Sequence, residues 1–320
     1  MIKTHESSTV FWKHKRVVVT GGTGFVGNHV VSMLRMRRAK EIVIPDHATF
    51  DLREYSSCLS LVRKADIVIH LAGNVGGIGY NEANPATLFD DNVLMGVYML
   101  RASHEAKVKK FIGIGTVCAY PKFTPVPFRE EDLWSGYPEE TNAAYGLAKK
   151  MLLVQSQAYR KQYGMNCIYL LPANIYGPGD SFDPSSSHVI PALIREMDEA
   201  KRKKKTAVHV WGTGRATREF LYVEDAARAI VLASEQYNGE EPVNIGSGNE
   251  VSIRELADAI ASVVGFTGEI HFNPKKPDGQ PRRRLDTEKA NALFGFVAMM
   301  PFQKGLKETV RWYRAHRASL

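Results

Sequence analysis

The segment "RVVVTGGTGFVGNHVVSMLRMR", residues 16–37, joins a short apolar strand, a glycine-rich turn and an amphipathic helix pattern. Gly21, Gly24 and Gly27 follow the spacing G-x-x-G-x-x-G. Glycines at this spacing permit a tight turn, and they let a pyrophosphate approach the helix N-terminus, where free N–H groups favour anions. The motif alone is weak, but its strand–turn–helix context predicts a dinucleotide-binding site.

Short apolar strands alternate with helical patterns along the first half of the chain. Strand patterns occur in "EIVIP", "ADIVIHLAG", "KKFIGIGTVCAY" and "MNCIYLLPANIYGPG", the last of which ends in Pro and Gly. This alternation predicts βαβ units, and therefore an α/β fold with a doubly wound parallel Rossmann sheet. We expect residues 1–176 to form this dinucleotide-binding domain. We expect residues 177–320 to form mainly a smaller α/β C-terminal substrate-binding domain, with segments near 218–248 returning to the Rossmann sheet.

The composition is typical of a soluble globular protein and predicts no membrane partner. Of the 320 residues, 44% are hydrophobic and 24% are charged. No apolar run approaches the roughly 18 residues needed to cross a bilayer. The N-terminal residues "MIKTHESSTVFWKHKR" lack the apolar region of a secretory signal. Three scattered cysteines fit reduced thiols, so a cytoplasmic location is expected.

The net charge of +8 does not by itself indicate a nucleic-acid partner. The densest basic run, Lys201–Lys205, follows a helical pattern, and cations suit the C-terminus of a helix. No nucleic-acid-binding signature accompanies the run, so none is predicted as a partner. No metal site is predicted either, because the cysteines lack the spacing of metal ligands.

Tyr145 and Lys149 have the i, i+4 spacing of neighbours on one helix face. The pKa of a free phenol is near 10, and a nearby ammonium is expected to lower the pKa of Tyr145 towards neutrality. Thr116 ends a predicted central strand and can hydrogen-bond the same substrate oxygen. Together with the glycine-rich loop, these residues predict a catalytic triad in which the tyrosine exchanges the proton.

Asp46 follows the second predicted strand, where a carboxylate can bind the adenosine ribose and repel a 2′-phosphate. This position therefore favours NAD(H) as cofactor. The predicted cofactor-binding residues are Gly21, Thr23, Gly24, Phe25, Val26, Gly27, Asp46, Leu71, Ala72, Tyr145, Lys149, Pro172, Asn174 and Ile175.

Six segments carry a resemblance to known proteins over nearly the full chain: "HLAGNVGGIGY", "TVCAYPK", "YGLAKK", "ANIYGPGDSFDPSSSHVIPALIR", "VWGTGRATREFLYVEDAA" and "KPDGQPRRRLD". The chain resembles the extended short-chain dehydrogenase/reductases of the NAD-dependent epimerase/dehydratase family, and within it the GDP-L-fucose synthases. The resemblance implies an oxidoreductase and isomerase of GDP-fucose biosynthesis. Its expected activity is 3,5-epimerisation and 4-reduction of a GDP-4-keto-6-deoxy-hexose. NADP(H) is the cofactor that the resemblance implies, and we expect a homodimer.

The resemblance also implies the role of each catalytic residue. Thr116, Tyr145 and Lys149 match the family's hydroxyl, tyrosine and lysine, although the family usually has Ser in place of Thr116. Cys118 and His188 match its epimerising cysteine and histidine. A keto group at C4 acidifies the protons on C3 and C5, which a thiol and an imidazole can exchange near pH 7.

A third set of residues is expected to bind the sugar nucleotide. Arg218 matches the family's substrate-binding arginine, and Arg282 and Arg283 can bind a diphosphate bidentately. The predicted substrate-binding residues are Asn174, His188, Val189, Trp211, Arg218 and Arg282.

One departure from the family pattern leaves the cofactor open. Members often have Arg in the glycine loop and after the second strand, where it binds the phosphate of NADP. Here Thr23 and the acidic segment around Asp46 occupy those places. The cofactor is therefore NADP(H) by resemblance, or NAD(H) as Asp46 suggests.

Other functions stay open as well. "VGGIGY" and "DLRE" also resemble GDP-mannose 3,5-epimerase, an NAD-retaining nucleotide-sugar epimerase. An enzyme that only reduces C4 is a further alternative. A dinucleotide-sensing regulatory protein is the non-enzymatic alternative, although such a protein need not keep Tyr145 and Lys149.

Overall fold

A six-stranded sheet, parallel throughout, forms the centre of the dinucleotide-binding part of the chain. The computed structural model describes residues 10–320. Its strands in this sheet are β1 (Arg16–Thr20), β2 (Glu41–Val43), β3 (Ile67–His70), β4 (Lys110–Ile114), β5 (Cys167–Pro172) and β9 (Val243–Ile245). Their spatial order is β2-β1-β3-β4-β5-β9. The doubly wound parallel sheet predicted from the sequence is confirmed.

Helices cover both faces of this sheet, which explains why strands such as β3 and β4 are buried along their whole length. The helices of this part are α1 (Phe25–Met36), α2 (Tyr55–Leu61), α3 (Ile78–Ala83), α4 (Pro85–Glu105), α5 (Ala143–Tyr163) and α7 (Val223–Gln236). α1 packs against α7, whereas α2, α4 and α5 pack together. The expectation about a secretory signal concerns in part residues 1–9, which lie outside the described residues.

The strand predicted within "MNCIYLLPANIYGPG" is divided in the structure. β5 ends at Pro172, and β6 (Asn174–Tyr176) belongs to a separate three-stranded sheet. Ala173, between them, donates its N–H to the Ile245 carbonyl of β9 at 2.9 Å. The sequence pattern did not reveal this division, because both strands are apolar and only one residue separates them.

A second core lies under the C-terminal part of the chain. β6 pairs with β8 (Thr217–Tyr222), which pairs with β10 (Glu250–Ser252). The other elements here are α6 (Val189–Arg202), β7 (Ala207–Trp211), α8 (Ile253–Val264), β11 (Glu269–Asn273), α9 (Glu288–Phe294) and α10 (Phe302–His316). Apolar side chains of α6, α8 and α10 form a core separate from that of the Rossmann sheet.

The chain passes between the two cores more than once. β8 belongs to the three-stranded sheet, whereas the following α7 and β9 pack with the six-stranded sheet. The domain boundary at residues 176/177 stays a prediction. Among the described residues, no helix combines the length and the apolar character required to cross a membrane.

The loops that follow β1, β3, β4 and β5 leave the sheet at the same edge, because the strands are parallel. In open α/β sheets, ligands bind in the crevice outside the carboxyl ends of the strands. The glycine-rich loop, Leu71, Thr116 and Pro172 therefore all lie at the edge where a ligand is expected.

Candidate active site

The glycine-rich loop is packed so closely that two of its glycines have no room for a side chain. Gly21 has φ +67°, and a Cβ there would lie 2.9 Å from the Ala72 nitrogen. A Cβ on Gly27 would lie 2.0 Å from the Gly21 oxygen. α1 begins directly after Gly24 without a side-chain cap. These features fit the pyrophosphate of a dinucleotide, which needs close backbone approach and free helix N–H groups.

We expect Gly27→Ala to destabilise the protein by about 1–3 kcal/mol and to weaken dinucleotide binding, because the methyl group must displace the Gly21 backbone. Thermal unfolding and fluorescence titration with the dinucleotide measure the two effects. Gly96→Ala in α4 is the matched control, because a Cβ there meets Leu152 at an ordinary 3.6 Å. Wild-type unfolding and binding in Gly27→Ala would contradict the close packing of the loop.

The cofactor edge next to the loop is fixed by two side chains at the ends of β1 and β3. His70 Nδ1 lies 2.8 Å from Thr20 Oγ1, which also accepts the Ala72 N–H at 3.2 Å. Burial lowers the pKa of His70 to about 3, so the ring is neutral. His70 thus orders the backbone at Leu71 and Ala72, two of the predicted cofactor contacts.

Asp46 lies in the turn after β2 and is exposed. Its Oδ1 accepts the Ala48 N–H at 3.0 Å, and its carbonyl accepts the N–H groups of Thr49 and Phe50. The segment is close to the glycine loop, since a Cβ on Gly22 would meet Ile44 Cγ2 at 2.7 Å. Asp46 therefore follows, by two residues, a side chain that touches the glycine loop, and one of its carboxylate oxygens is committed to the turn.

The triad residues meet where β4 ends and α5 begins. Thr116 precedes a short 3₁₀ helix, Val117–Ala119, and its Oγ1 accepts the Cys118 N–H at 3.2 Å. α5 approaches this turn closely, since a Cβ on Gly146 would lie 2.5 Å from the Cys118 oxygen. A glycine next to Tyr145 thus allows the phenol to approach the Thr116 hydroxyl closely enough for Thr116 to lower its pKa.

The pKa of Tyr145 is raised above its ordinary value, chiefly by burial and also by the electrostatic effect of Cys118, while Thr116 opposes this. The expectation that Lys149 lowers this pKa is therefore wrong: burial dominates. Burial also lowers the pKa of Lys149 to about 8. The Lys149 backbone is fixed by the Tyr169 hydroxyl, which donates to its carbonyl at 2.6 Å. Tyr145 is consequently a protonated phenol at neutral pH, which suits a proton donor.

Cys118 is half-buried and contacts a buried guanidinium. Arg283 Nη1 lies 3.4 Å from Cys118 Sγ and 3.4 Å from Asn174 Oδ1. Asn174 also donates to the Glu219 carbonyl at 3.0 Å, so its position in β6 is fixed. The sequence had offered Arg283 only as a possible diphosphate ligand, and its contact with the thiol was not foreseen.

His188 immediately precedes α6, with Val189 as the first helical residue. Its ring is accessible to solvent, yet burial and the charge on Arg283 lower its pKa. His188 is therefore close enough to Arg283 to be affected by its charge while it remains open to solvent. The adjacent segment is fixed against the loop after β3, because the Gly77 N–H donates to the Ser186 carbonyl at 2.9 Å. The structure thus brings His188 into the surroundings of Arg283 and Cys118.

The predicted substrate residues divide into two groups. Arg218 is buried beside this cluster, where the charge on Arg283, after burial, lowers its pKa, and it donates to the carbonyls of Gln280 and Asp278. Trp211 is 52% exposed, with Lys276 Nζ 4.8 Å from its ring centroid.

Arg282 lies apart from the cluster around Cys118. Its exposed side chain forms an ion pair with Glu250 at 2.6 Å. Of the two neighbouring arginines, Arg283 is therefore the one that the structure brings to Cys118. Among the described residues, no cluster of three or more His, Cys, Asp or Glu side chains is arranged to hold a metal ion.

A parallel Rossmann sheet with a strand-end hydroxyl and a helical tyrosine–lysine pair defines an extended short-chain dehydrogenase/reductase. The model of the NAD dependent epimerase/dehydratase family matches residues 17–246, and the chain belongs to this family. It is an NAD(P)-dependent epimerase/reductase enzyme, with a nicotinamide dinucleotide as cofactor.

Within the family, the resemblance to GDP-L-fucose synthases is confirmed. The chain is 40% identical to GDP-L-fucose synthase 1 of Arabidopsis thaliana over 310 residues, which cover 96% of each chain. Its fold matches a GDP-L-fucose synthetase of Naegleria fowleri bound to NADP, with 30% identity, a TM-score of 0.86 and coverage of 95% of both chains. It also matches a GDP-6-OMe-4-keto-L-xylo-heptose reductase of C. jejuni, with 26% identity, a TM-score of 0.89 and coverage of 95% and 99%.

Proposed function

We propose that this enzyme epimerises a GDP-4-keto-6-deoxy-hexose at C3 and C5 and then reduces it at C4. The observation that carries the proposal is the cluster formed by Tyr145, Cys118, Arg283 and His188. A reductase needs the tyrosine, but it has no use for a thiol and an imidazole in the same cleft. The GDP-linked substrate is supported by the names of the relatives.

Reduction at C4 needs a hydride and a proton. A nicotinamide dinucleotide held at the glycine-rich loop would supply the hydride. Tyr145 supplies the proton to the C4 oxygen, and the raised pKa of its phenol keeps it protonated until the oxygen becomes negative. Lys149, next to the cofactor edge, carries positive charge at neutral pH, since its pKa is about 8. It stabilises the negative charge that remains on Tyr145 after proton transfer.

Epimerisation needs proton removal on one face of the sugar and proton return on the other. We assign removal to Cys118: the C–H bond breaks, an S–H bond forms, and the electron pair moves into an enolate at the C4 oxygen. His188 returns a proton to the opposite face of the same carbon, and the enolate becomes the ketone again. Cys118 lies in the turn after β4, and His188 lies at the start of α6. Because they belong to different elements, the two side chains suit proton transfer on opposite faces of the sugar.

Incubation with GDP-4-keto-6-deoxymannose and a reduced nicotinamide tests the function directly. We expect a GDP-6-deoxy-hexose inverted at C3 and C5 with a hydroxyl at C4, identified by NMR. A product reduced at C4 but not inverted would overturn the epimerase part of the proposal. No turnover of this compound would overturn the assigned substrate.

Reduction without epimerisation is the second candidate, because one matched structure is named as a heptose reductase. In that case Cys118 and His188 would only line the cleft. Incorporation of solvent deuterium at C3 and C5 separates the candidates, since only an epimerase exchanges these protons. We expect incorporation during turnover in deuterium oxide.

We propose that this enzyme uses NADP(H) with a weaker preference over NAD(H) than its relatives. The NADP-bound neighbour supports NADP(H), whereas the carboxylate of Asp46 near the glycine loop opposes a 2′-phosphate. We expect Asp46→Ala to raise the ratio of kcat/KM for NADPH to that for NADH by about 10-fold, a change of about 1.4 kcal/mol. Steady-state kinetics with each cofactor give the ratio.

Asp258→Ala in α8 is the matched control for this substitution, because it also removes an exposed carboxylate, on a helix of the C-terminal part. Its cofactor ratio should equal that of the wild type. An unchanged ratio in Asp46→Ala would mean that this carboxylate does not face the 2′ position.

We further propose a cytoplasmic homodimer. Exposed apolar side chains on neighbouring helices, Phe89 of α4 and Met151 and Val154 of α5, support self-association through this face. Free cysteines at the three positions support a reducing compartment.

A further inference from the structure

Arg283 is a buried arginine whose guanidinium points at a thiol. Its side chain is 5% exposed, and Nη1 lies 3.4 Å from Cys118 Sγ. The same nitrogen lies 3.4 Å from Asn174 Oδ1. No carboxylate is paired with Arg283 among the contacts of the described residues. Burying a cation without an acidic partner costs free energy. We therefore expect an anion to form beside Arg283.

Gln280 fixes the direction of this guanidinium. It is 1% exposed, and its Oε1 accepts the Nε–H of Arg283 at 3.0 Å. Its Nε2 donates to the carbonyls of Pro121 and Lys122 at 2.9 and 3.1 Å. These two residues follow the turn that carries Cys118. Gln280 therefore links the segment that carries Arg283 to the segment that carries Cys118, and it orients the guanidinium towards the thiol.

We propose that Arg283, oriented by Gln280, is the positioning residue that stabilises the thiolate of Cys118. This inference rests on the proposed epimerase function, because it names what makes the cysteine a base. Arg283 is not paired with a carboxylate, so its charge is available when the thiol loses its proton. An opposite charge within about 4–6 Å favours the ionised form of a group.

The arrangement also divides the charge stabilisation between two residues. When Cys118 removes the sugar proton, its own charge disappears and negative charge appears on the C4 oxygen. Arg283 then faces a neutral thiol, and Tyr145 faces the new negative charge. Before the step, the cation increases the fraction of enzyme in which Cys118 is ionised, at some cost in the basicity of the thiolate; after it, the phenol stabilises the enolate.

Alkylation of the thiol by iodoacetamide, without any sugar nucleotide, is the test. The thiolate is the nucleophile, and mass spectrometry identifies the modified cysteine. Cys58 and Cys167 should react slowly, because burial raises the pKa of each to about 12. The variants are Arg283→Gln, which removes the charge, and Arg283→Lys, which keeps it. The matched control is Arg282→Gln, which removes the charge of the neighbouring arginine that pairs with Glu250.

At pH 7 we expect Cys118 in Arg283→Gln to react at least about 3-fold more slowly than in the wild type. Loss of the cation lowers the thiolate fraction, and the higher nucleophilicity of a more basic thiolate offsets part of this loss. At pH 10, where thiolates are plentiful even without a neighbouring cation, the difference should become much smaller. Arg283→Lys should restore most of the rate at pH 7, and Arg282→Gln should react like the wild type.

Two results would overturn the proposal. One is an equal rate at pH 7 in Arg283→Gln and wild type. The other is a rate that differs equally at pH 7 and pH 10, which would indicate altered access to the sulfur instead of altered charge. Circular dichroism of each variant accompanies the measurement, and Arg283→Lys keeps the test decisive if Arg283→Gln does not fold.

Deuterium exchange at C3 and C5 of GDP-4-keto-6-deoxymannose forms a separate arm. If the wild type exchanges, Arg283→Gln should exchange more slowly and Arg283→Lys should recover. If the wild type does not exchange while alkylation behaves as expected, the epimerase function fails and the Arg283–Cys118 interaction stands. The two failures are therefore distinguishable.

Discussion

Tyr145→Phe is expected to lower the rate of C4 reduction by roughly 10²- to 10⁴-fold, the usual contribution of a general acid. The phenol lies close to Thr116, and its raised pKa keeps it protonated at neutral pH. Phenylalanine has the same ring but no proton to give. Dinucleotide affinity should change little, because the glycine loop is untouched. Single-turnover reduction and a binding titration measure the two quantities.

Tyr163→Phe is the matched control for this prediction. Tyr163 belongs to the same helix, but it is 49% exposed and stacks on His104 at the surface. Its variant should reduce the substrate at the wild-type rate. If Tyr145→Phe kept more than half of the wild-type rate while chemistry limits turnover, another group would have to supply the proton.

Cys118→Ser is expected to lose deuterium exchange at C3 and C5 by roughly 10²-fold or more, while hydride transfer is much less affected. Serine has nearly the size of cysteine, so the turn after Thr116 is preserved. Its hydroxyl is a far weaker acid than a thiol, so it provides little base near pH 7. NMR of the product after turnover in deuterium oxide reports exchange and reduction in the same sample.

Cys58→Ser provides the same chemical change away from the cleft. Cys58 donates to the Leu52 carbonyl at 3.2 Å, a bond that serine can also form. The Cys58→Ser variant should exchange deuterium at C3 and C5 at the wild-type rate. If Cys118→Ser exchanged deuterium at the wild-type rate, the thiol would have only a packing role. That result would favour a reductase that does not epimerise its substrate.

His188→Asn should affect the same experiment differently, by slowing the return of the proton. We then expect a partly epimerised sugar to accumulate. If neither variant changes exchange or inversion, both residues only line the cleft.

The sequence predicted the parts of the site that depend on short, continuous patterns. The strand–turn–helix around Gly21 and Gly27 places the dinucleotide loop, and the spacing of Tyr145 and Lys149 on one helix is local. Both patterns reflect backbone geometry that a few consecutive residues determine. Parallel strands were predictable for the same reason, because each βαβ unit is contiguous.

Contacts between distant segments could not be predicted in this way. Arg282 and Arg283 are adjacent, yet one pairs with Glu250 and the other reaches Cys118. Which of them faces the cleft depends on the path of the loop after Gln280, for which no periodic pattern exists. The raised pKa of Tyr145 could not be predicted from the sequence either. It arises because the whole fold buries the phenol, whereas the sequence shows only the nearby lysine.

The strand β9 has a consequence for synthesis of the chain. It pairs with β5 from Leu170 to Pro172 and lies at the margin of the sheet. On the ribosome, β5 is made long before β9, and during this interval its outer backbone groups have no strand beside them. An uncovered strand edge is a template for pairing with other chains. The nascent enzyme is thus most exposed to aggregation until Val243–Ile245 emerges, and a shortened gene ending before that codon would leave the edge permanently open.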